Sequence, residues 1–284
     1  MKKNISCLLL TMSVWFAVGC GHQEKDKTPT DSSQINYEGV KSIDSENGMS
    51  VIAIMDCGRT MKKDLFRGSN DRLLDSLVEM DELPAAINAF LAVGNGHMVL
   101  FDAGLGGNAG GHLFEKLKAL GIDPSDIDAV CLTHLHPDHI GGLLRDGQPV
   151  FPRAAIYLSV DEFNAWSDDG VFAERNELWK NVLSGYALNV KPFVDGDTLL
   201  DGSVVAHLFP GHTPGHTVYT VGNTLIVGDI LHSQDLQIDH PDFCAAYDNN
   251  KPQATASRKK LLYKARTDHL TIAGSHMHTQ MLQL

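Results

Sequence analysis

The sequence predicts one layered α/β domain, and three observations support that prediction. Short apolar runs rich in β-branched and aromatic residues recur along the chain and are typical of strands. Segments with helical patterns lie between these runs, and no clear break divides them. The chain has 284 residues, of which 43% are hydrophobic and 20% are charged, which is sufficient for a sizeable buried core.

The apolar runs predict strands at residues 51–55, 87–93, 98–101, 129–132, 154–158, 204–208, 218–221 and 225–227. Helices are predicted at residues 113–120, 161–166, 174–183 and 253–265. Ser159 is placed to cap the second of these helices, and Gly121 is placed to end the first. Repeated glycines between residues 104 and 111 predict a loop after the third strand.

The N-terminal residues predict export. Residues 1–19 have the two lysines, the apolar stretch and the small residues of a signal peptide. The run Ala17-Val18-Gly19-Cys20 resembles a bacterial lipobox, which makes Cys20 a candidate for lipidation and membrane anchoring; the alternative is cleavage nearby and release into the periplasm. Residues 20–45 are predicted to form a flexible tether and residues 46–284 the folded domain. Both alternatives place the protein in the bacterial cell envelope.

The net charge limits the expected binding partners, and the cysteine residues limit the possible disulfides. The formal net charge of −12 argues against binding nucleic acid and leaves a small-molecule substrate as the expected partner. An oxidising compartment permits a Cys57–Cys244 disulfide, although spacing alone does not distinguish it from two free thiols. Cys131 lies in an apolar run and is expected to be a buried free thiol.

One hexapeptide, His134-Leu135-His136-Pro137-Asp138-His139, concentrates groups that bind metals. Imidazole nitrogen suits zinc, copper, iron and nickel, and carboxylate oxygen suits harder ions. In an extended backbone His134 and His136 point the same way, and Asp138 and His139 can then face a second ion. His212, Asp229 and His276 each follow a predicted strand, where loops can direct several side chains to one place.

The hexapeptide resembles the HxHxDH motif of the metallo-β-lactamase superfamily, and other segments resemble the family's remaining motifs in the family's order. These segments are Phe101-Asp102-Ala103-Gly104, Gly211-His212-Thr213-Pro214-Gly215-His216, Gly228-Asp229 and Gly274-Ser275-His276. The resemblance implies a four-layer αβ/βα sandwich that holds two divalent metal ions. Zinc suits these ligands best, and iron, manganese and cobalt are also accommodated.

The resemblance also implies a role for each residue. The first ion would take His134, His136 and His212, the second would take Asp138, His139 and His276, and Asp229 would bridge both. Asp102 would orient a ligand histidine. His216 and His232 are expected to support the site rather than to bind metal, and His276 is preferred over His278 as the last ligand.

The implied chemistry is hydrolysis by a hydroxide shared between the two ions, with Asp138 and Asp229 as catalytic carboxylates and Asp138 passing a proton to the leaving group. Residues 86–91, Gly141-Gly142-Leu143 and the stretch from Ala256 to His276 resemble N-acyl homoserine lactonases and methyl-parathion-type hydrolases. A lactone or another ester is therefore the expected substrate, with phosphotriester hydrolysis as a side activity. Met277-His278-Thr279-Gln280 replaces a Pro-Phe-Pro stretch usual in that group, which leaves the substrate open.

The same residues also allow two alternative functions. A β-lactam or thioester hydrolase of the same superfamily is one alternative, and an envelope-anchored binding lipoprotein with a structural metal site is another. A structural zinc site would be closed and four-coordinate, whereas the proposed ligands leave room for water on two ions.

Residues 61–80 are expected to form a lid, an arm of a homodimer or a solvated helix. Candidate residues of the substrate pocket are Phe90, Leu105, Trp166, Phe172 and Phe243.

Overall fold

The structure is a computed structural model that describes residues 40–44 and 48–284. Its strands are β1 (Val40–Asp44), β2 (Met49–Lys62), β3 (Glu82–Gly94), β4 (His97–Phe101), β5 (Ala129–Cys131), β6 (Leu144–Arg145), β7 (Gln148–Pro149), β8 (Ala155–Ser159), β9 (Val190–Phe193), β10 (Thr198–Leu199), β11 (Val204–Leu208), β12 (Thr217–Val221), β13 (Thr224–Gly228), β14 (Thr271–Gly274) and β15 (Met281–Gln283). Its α-helices are α1 (Asp71–Leu77), α2 (Leu113–Ala119), α3 (Pro137–Ile140), α4 (Val160–Ala165), α5 (Glu177–Tyr186), α6 (Gln234–Gln237) and α7 (Lys251–Thr267).

The strands form two large sheets and one small hairpin. The first sheet has the order β1-β2-β3-β4-β5-β8-β9, the second runs from β10 to β15 in sequence order, and β6 pairs with β7. Strands β1 to β4 are antiparallel, whereas β4, β5, β8 and β9 are parallel. All eight strands and all four helices predicted from the sequence are present, with ends that differ by up to seven residues.

Apolar side chains on both faces of the strands allow each sheet to pack against two layers, because successive side chains of a strand point to opposite faces of the sheet. In β2, Val51 packs between the two sheets with Tyr219 of β12, while Ile52 faces the helix side with Leu117 of α2. On the outer face of the second sheet, Leu225 packs with Leu261 of α7. The layers are therefore helix, sheet, sheet and helix, and the predicted four-layer αβ/βα sandwich is confirmed.

Both predicted helix signals are confirmed. The side chain of Ser159 accepts a hydrogen bond from the backbone N–H of Glu162 at 3.0 Å, as an N-cap does. Gly121 follows the end of α2 with φ of 75°, in the left-handed region that favours glycine. Within the described residues, none of the helices combines the length and the hydropathy that a membrane span requires.

The structure differs from three expectations outside the core. The predicted tether is shorter at its C-terminal end, because residues 40–44 pair as β1 with the edge of β2; the other residues of the predicted tether lie outside the described residues. Residues 61–80 are not a solvated helix, since Phe66 and Leu74 are fully buried against Leu236 and Phe243. Cys57 and Cys244 are free, so the disulfide that an oxidising compartment would permit is not formed. Cys131 is buried and free as expected.

Arg258 is a fully buried cation on the inner face of α7. Its guanidinium group donates to the carbonyl oxygens of Ile230, Pro241 and Phe243 at 2.7 to 2.9 Å and contacts the buried carboxylate of Asp248 at 3.3 Å. Because all four partners lie in the segment between β13 and α7, Arg258 joins α7 to that segment. Every hydrogen-bonding nitrogen of the side chain has a partner, as a buried charge requires.

We expect Arg258→Met to lower the free energy of unfolding by about 3–5 kcal/mol, because it leaves Asp248 buried without its cation. Lys259→Met is a suitable control, since Lys259 pairs with Asp242 at 2.7 Å while both side chains remain at least half exposed. Such a surface pair contributes about 0–1 kcal/mol. Urea denaturation of the three proteins measures the difference, and equal losses in the two variants would contradict the prediction.

Candidate metal centre

Strand ends bring the candidate ligands together. His134 follows β5, His212 follows β11, Asp229 comes directly after β13, and His276 lies two residues after β14. The remaining ligands come from α3, which begins at Pro137 with His136 as its N-cap residue. Because the strands are fixed within two packed sheets, these loops hold their side chains at defined positions.

The first cluster consists of His134, His136, His212 and Asp229, whose ligand atoms all lie within 4.8 Å of one another. Nδ1 of His136 lies 3.0 Å from Nε2 of His134 and 2.9 Å from Nε2 of His212. The two Nε2 atoms are 3.2 Å apart. Three ring nitrogens thus converge on one point beside a carboxylate.

The second cluster consists of Asp138, His139 and His276. Nε2 of His276 lies 3.5 Å from the Asp138 carboxylate, and Nε2 of His139 lies 3.8 Å from it. Asp229 lies between the clusters: its Oδ1 is 3.1 Å from His139, and its Oδ2 is 3.1 Å from His276 and 3.3 Å from His212. The structure therefore brings all seven predicted ligands together, with Asp229 in the position predicted for a bridge.

Hydrogen bonds at the outer ring nitrogens direct three histidines inward. Nδ1 of His212 faces the Asp248 carboxylate at 3.1 Å, and Nδ1 of His276 faces the Ala86 carbonyl at 3.0 Å. Nδ1 of His139 faces the Asp102 carboxylate at 2.8 Å. Because each of these acceptors needs a proton on Nδ1, each of the three rings, when it is neutral, presents the lone pair of Nε2 to the clusters.

Opposing charges shift the pKa values in the two clusters differently. Burial, together with His139, holds the pKa of His134 well below its usual range, and burial with His212 lowers the pKa of His136 to about 3. Burial opposes the charged form of His276, yet Asp229 raises its pKa to about 9. Burial alone would raise the pKa of Asp229, but His276, His139 and His134 hold it well below its usual range. The centre thus combines an ionised Asp229 with neutral rings at His134 and His136 and a protonated ring at His276.

The donor set fits two divalent cations. Nε2 of His139 and Oδ1 of Asp229 are buried and make no hydrogen bond, although such atoms normally find a partner. Neutral imidazole nitrogens cannot satisfy one another when each offers a lone pair. His134, His136 and His212 would hold one ion, Asp138, His139 and His276 would hold the other, and Asp229 would contact both.

The supporting residues lie around this set. Asp102 accepts hydrogen bonds from His139 and from the backbone N–H and hydroxyl of Thr133, so it orients His139 as expected. His216 lies outside both clusters, and its Nε2 accepts a hydrogen bond at 3.0 Å from the backbone N–H of Asp229. Gly228 precedes Asp229 with φ of 52°, and a Cβ there would lie 2.6 Å from His216. Only glycine therefore allows this approach.

His232 and His278 occupy different positions. His232 is fully buried, lies 3.5 Å from Asp229, and belongs to a third group of potential ligands with His212 and Asp248. It therefore borders the first cluster, as expected for a supporting residue. His278 lies outside the clusters, 3.8 Å from Asp235 on a partly exposed surface, so the preference for His276 agrees with the geometry.

Sequence reasoning missed three buried side chains that hold the site. Asp248 accepts from His212, Glu162 accepts from the loops on both sides of the first cluster, and the amide of Asn88 donates to the carbonyls of Gly274 and Met277. Each is isolated in the sequence, so no motif marks it. The position of Glu162 in the first turn of a capped helix was visible, but that position normally indicates solvent exposure.

Most candidate pocket residues belong to the core. Phe90 is buried between the sheets, and Phe243 packs against Phe66. Trp166 and Phe172 lie 5.7 and 6.5 Å from the ring of His136 but are at most 5% exposed. A separate cavity of about 1220 Å³ lies between Leu105, the β6–β7 hairpin and α5, and it is lined by none of the seven ligands.

Comparisons with known proteins agree with this geometry. The family model described as the Metallo-beta-lactamase superfamily matches residues 83–276. The N-acyl homoserine lactonase AttM of Agrobacterium fabrum is 32% identical over 112 residues, which cover 38% of this chain and 40% of the relative. The chain thus spans less than half the length of the curated lactonases that it matches.

Two solved structures cover most of the chain. The hydrolase AbOPH, described as a member of the beta lactamase superfamily, has a TM-score of 0.79 and 25% identity over 88% of this chain and 94% of its own. AidC, a dizinc quorum-quenching lactonase in complex with a product, has a TM-score of 0.73 and 28% identity over 86% of this chain and 92% of its own. With the matched family model, the four-layer fold and the converging ligands, the chain belongs to the metallo-β-lactamase superfamily of hydrolases.

Proposed function

We propose that this metal-dependent hydrolase cleaves a lactone or another ester-type bond with two divalent ions, most suitably Zn²⁺. The observation that carries the proposal is the position of Asp229, whose two carboxylate oxygens face separate groups of histidine nitrogens at 3.1 to 3.3 Å. A single-ion site would not require a buried carboxylate with ligands on both sides.

The names of two similar proteins favour a lactone as the substrate. AttM is an N-acyl homoserine lactonase, and AidC is described as a dizinc lactonase in complex with N-hexanoyl-L-homoserine. Ring opening of a lactone and cleavage of an ester both proceed through attack on a carbonyl carbon, so the same centre suits either substrate.

The exposed side of the centre defines where the substrate binds. When bound, the two ions would supply an activated water near neutral pH and would polarise the substrate carbonyl. Among the seven ligands, only His136 and Asp138 are partly exposed; the others are buried. Asp138 therefore borders the approaching substrate, and its carboxylate is placed to pass a proton to the leaving oxygen. Asp229 is buried and fixes the spacing of the two histidine groups.

We also propose that the protein is exported to the cell envelope and anchored through a lipid on Cys20. The proposal rests on the signal-peptide and lipobox patterns, because residues 1–39 lie outside the described residues. A Cys20→Ser variant that leaves the membrane fraction would support the anchor.

A hydrolysis panel tests the substrate class. We expect the metal-replete protein without residues 1–19 to hydrolyse N-acyl homoserine lactones and aryl esters faster than a β-lactam, a thioester or a phosphotriester, judged by kcat/KM. A faster thioester or β-lactam reaction would instead favour the alternative hydrolases. Stoichiometric metal without turnover of any of these substrates would favour a binding lipoprotein.

We expect Asp229→Asn and His212→Ala to lose bound metal and hydrolysis together, with activity falling at least about 100-fold, because each removes a direct ligand. His278→Ala serves as the control, since His278 is close in sequence but lies outside both clusters. Metal content by elemental analysis and kcat/KM should be measured on the same samples. Full activity with one ion removed would refute the two-ion proposal.

The metal-free protein should lose stability as pH rises above neutrality. Its folded state raises the pKa of His276 to about 9 from an ordinary value of 6.5, so the stabilisation is fully present below pH 6.5 and is lost as pH rises through 9. The lowered pKa values of His134 and His136 destabilise the fold only below pH 6.5. Urea midpoints of the chelator-treated protein should therefore fall between pH 6.5 and 9, and less steeply in His276→Gln. Equal slopes would contradict this assignment.

A further inference from the structure

Glu162 is a buried carboxylate beneath the first cluster, and the part of the chain that the structure describes provides no Lys, Arg or His partner within 4.0 Å of it. It lies in the first turn of α4 with 1% of its surface exposed. Burial raises its pKa, and the hydrogen bonds that it accepts oppose that shift. A buried carboxylate of this kind is costly unless donors fill its oxygens.

Both oxygens of Glu162 are filled by two donors each. Oε1 accepts from the backbone N–H of Leu135 at 3.1 Å and from Nε1 of Trp166 at 2.8 Å. Oε2 accepts from the hydroxyl of Thr213 at 2.7 Å and from the backbone N–H of Gly215 at 3.0 Å. One side chain therefore joins loops that are distant in the sequence.

These donors belong to the loops that carry the first set of histidines. Leu135 separates His134 from His136, and Thr213 directly follows His212. Trp166 packs edge-on against the ring of His136, with 5.7 Å between ring centroids. A Cβ on Gly215 would lie 2.0 Å from the backbone nitrogen of Glu162, so the second loop rests directly on α4.

The second set of ligands is held by other groups. Asp102 accepts from Nδ1 of His139, and the carbonyl of Ala86 accepts from Nδ1 of His276. None of the hydrogen bonds of Glu162 involves the residues from Pro137 to Ile140 or the turn that carries His276. The support that Glu162 provides is therefore restricted to one of the two clusters.

We propose that Glu162 is a positioning residue that sets the affinity of the ion held by His134, His136 and His212, without a comparable effect on the other ion. This inference rests on the proposed two-ion function. Residues that orient metal ligands typically change metal affinity by about 10- to 100-fold when they are replaced. Gln at this position offers one oxygen, which can serve two of the four donors, while its amide N–H groups face the others.

The test compares Glu162→Gln with Asp56→Asn in the full chain loaded with Zn²⁺. Asp56 is an equally buried carboxylate whose oxygens accept from the backbone N–H groups of Leu105, His112 and Leu113, all outside the ligand loops. Zinc per chain is measured after dialysis against graded chelator, and urea denaturation of the metal-free proteins records any general loss of stability.

We expect Glu162→Gln to retain one Zn²⁺ at chelator concentrations where the wild type and Asp56→Asn retain two, with a 10- to 100-fold weaker first site. Adding His276→Ala to Glu162→Gln should remove the remaining ion, whereas adding His136→Ala should leave it. Thr213→Val loses one of the four hydrogen bonds and should give a smaller loss in the same site, which provides a test should Glu162→Gln not fold.

Several results would overturn the inference. These are an unchanged ratio of the two affinities in Glu162→Gln or in Thr213→Val, loss of both ions together, and the same loss of one ion in Asp56→Asn. A wild type that binds no Zn²⁺ would instead refute the proposed function itself, so the two failures are distinguishable.

Discussion

The burial of Asp229 among histidine nitrogens is the constraint on which the rest of the structure depends. Its carboxylate is 3% exposed and lies within 3.8 Å of Nε2 atoms from His134, His139, His212 and His276. An ionised group in such a place is costly unless positive charge surrounds it. Among the residues that the structure describes, the ion-pair partners of Asp229 are all histidines, so without metal protonated histidines would provide that charge, and crowding limits how many of them carry protons. Divalent cations would resolve the conflict, because they would supply positive charge and let every imidazole stay neutral.

The sandwich of two packed sheets stabilises this arrangement of the ligand side chains. The ligands come from loops after β5, β11, β13 and β14, which belong to two different sheets. The sheets are held together by an apolar layer that includes Phe101, Tyr219 and Ile226. None of the seven ligands belongs to this apolar layer, so the packing that joins the two sheets does not depend on contacts among the ligands. The fold therefore keeps the seven ligand side chains close together even though their mutual repulsion is unfavourable.

The sequence was sufficient for the strands, the layers and the convergence of the ligands, and insufficient for their support. Alternation of apolar residues and strand-end histidines are local patterns, so Val51 and His134 are informative within their own segments. Glu162 and Asp248 act on residues that are distant along the chain, and a single acidic residue carries no local signal of its partners. The packing of Phe66 was missed for the same reason, because its contacts lie on the loop near Phe243.

The way the ligand histidines are supported also determines from which side chemistry can occur. His139, His212 and His276 each have an outer nitrogen held by a group of the fold, and all three are buried. His136 differs, since its Nδ1 faces the cluster and its ring is partly exposed beside Trp166. Asp138 is partly exposed on the same helix, α3. The two partly exposed ligands therefore lie at the start of α3, and this is the side of the centre that solvent reaches.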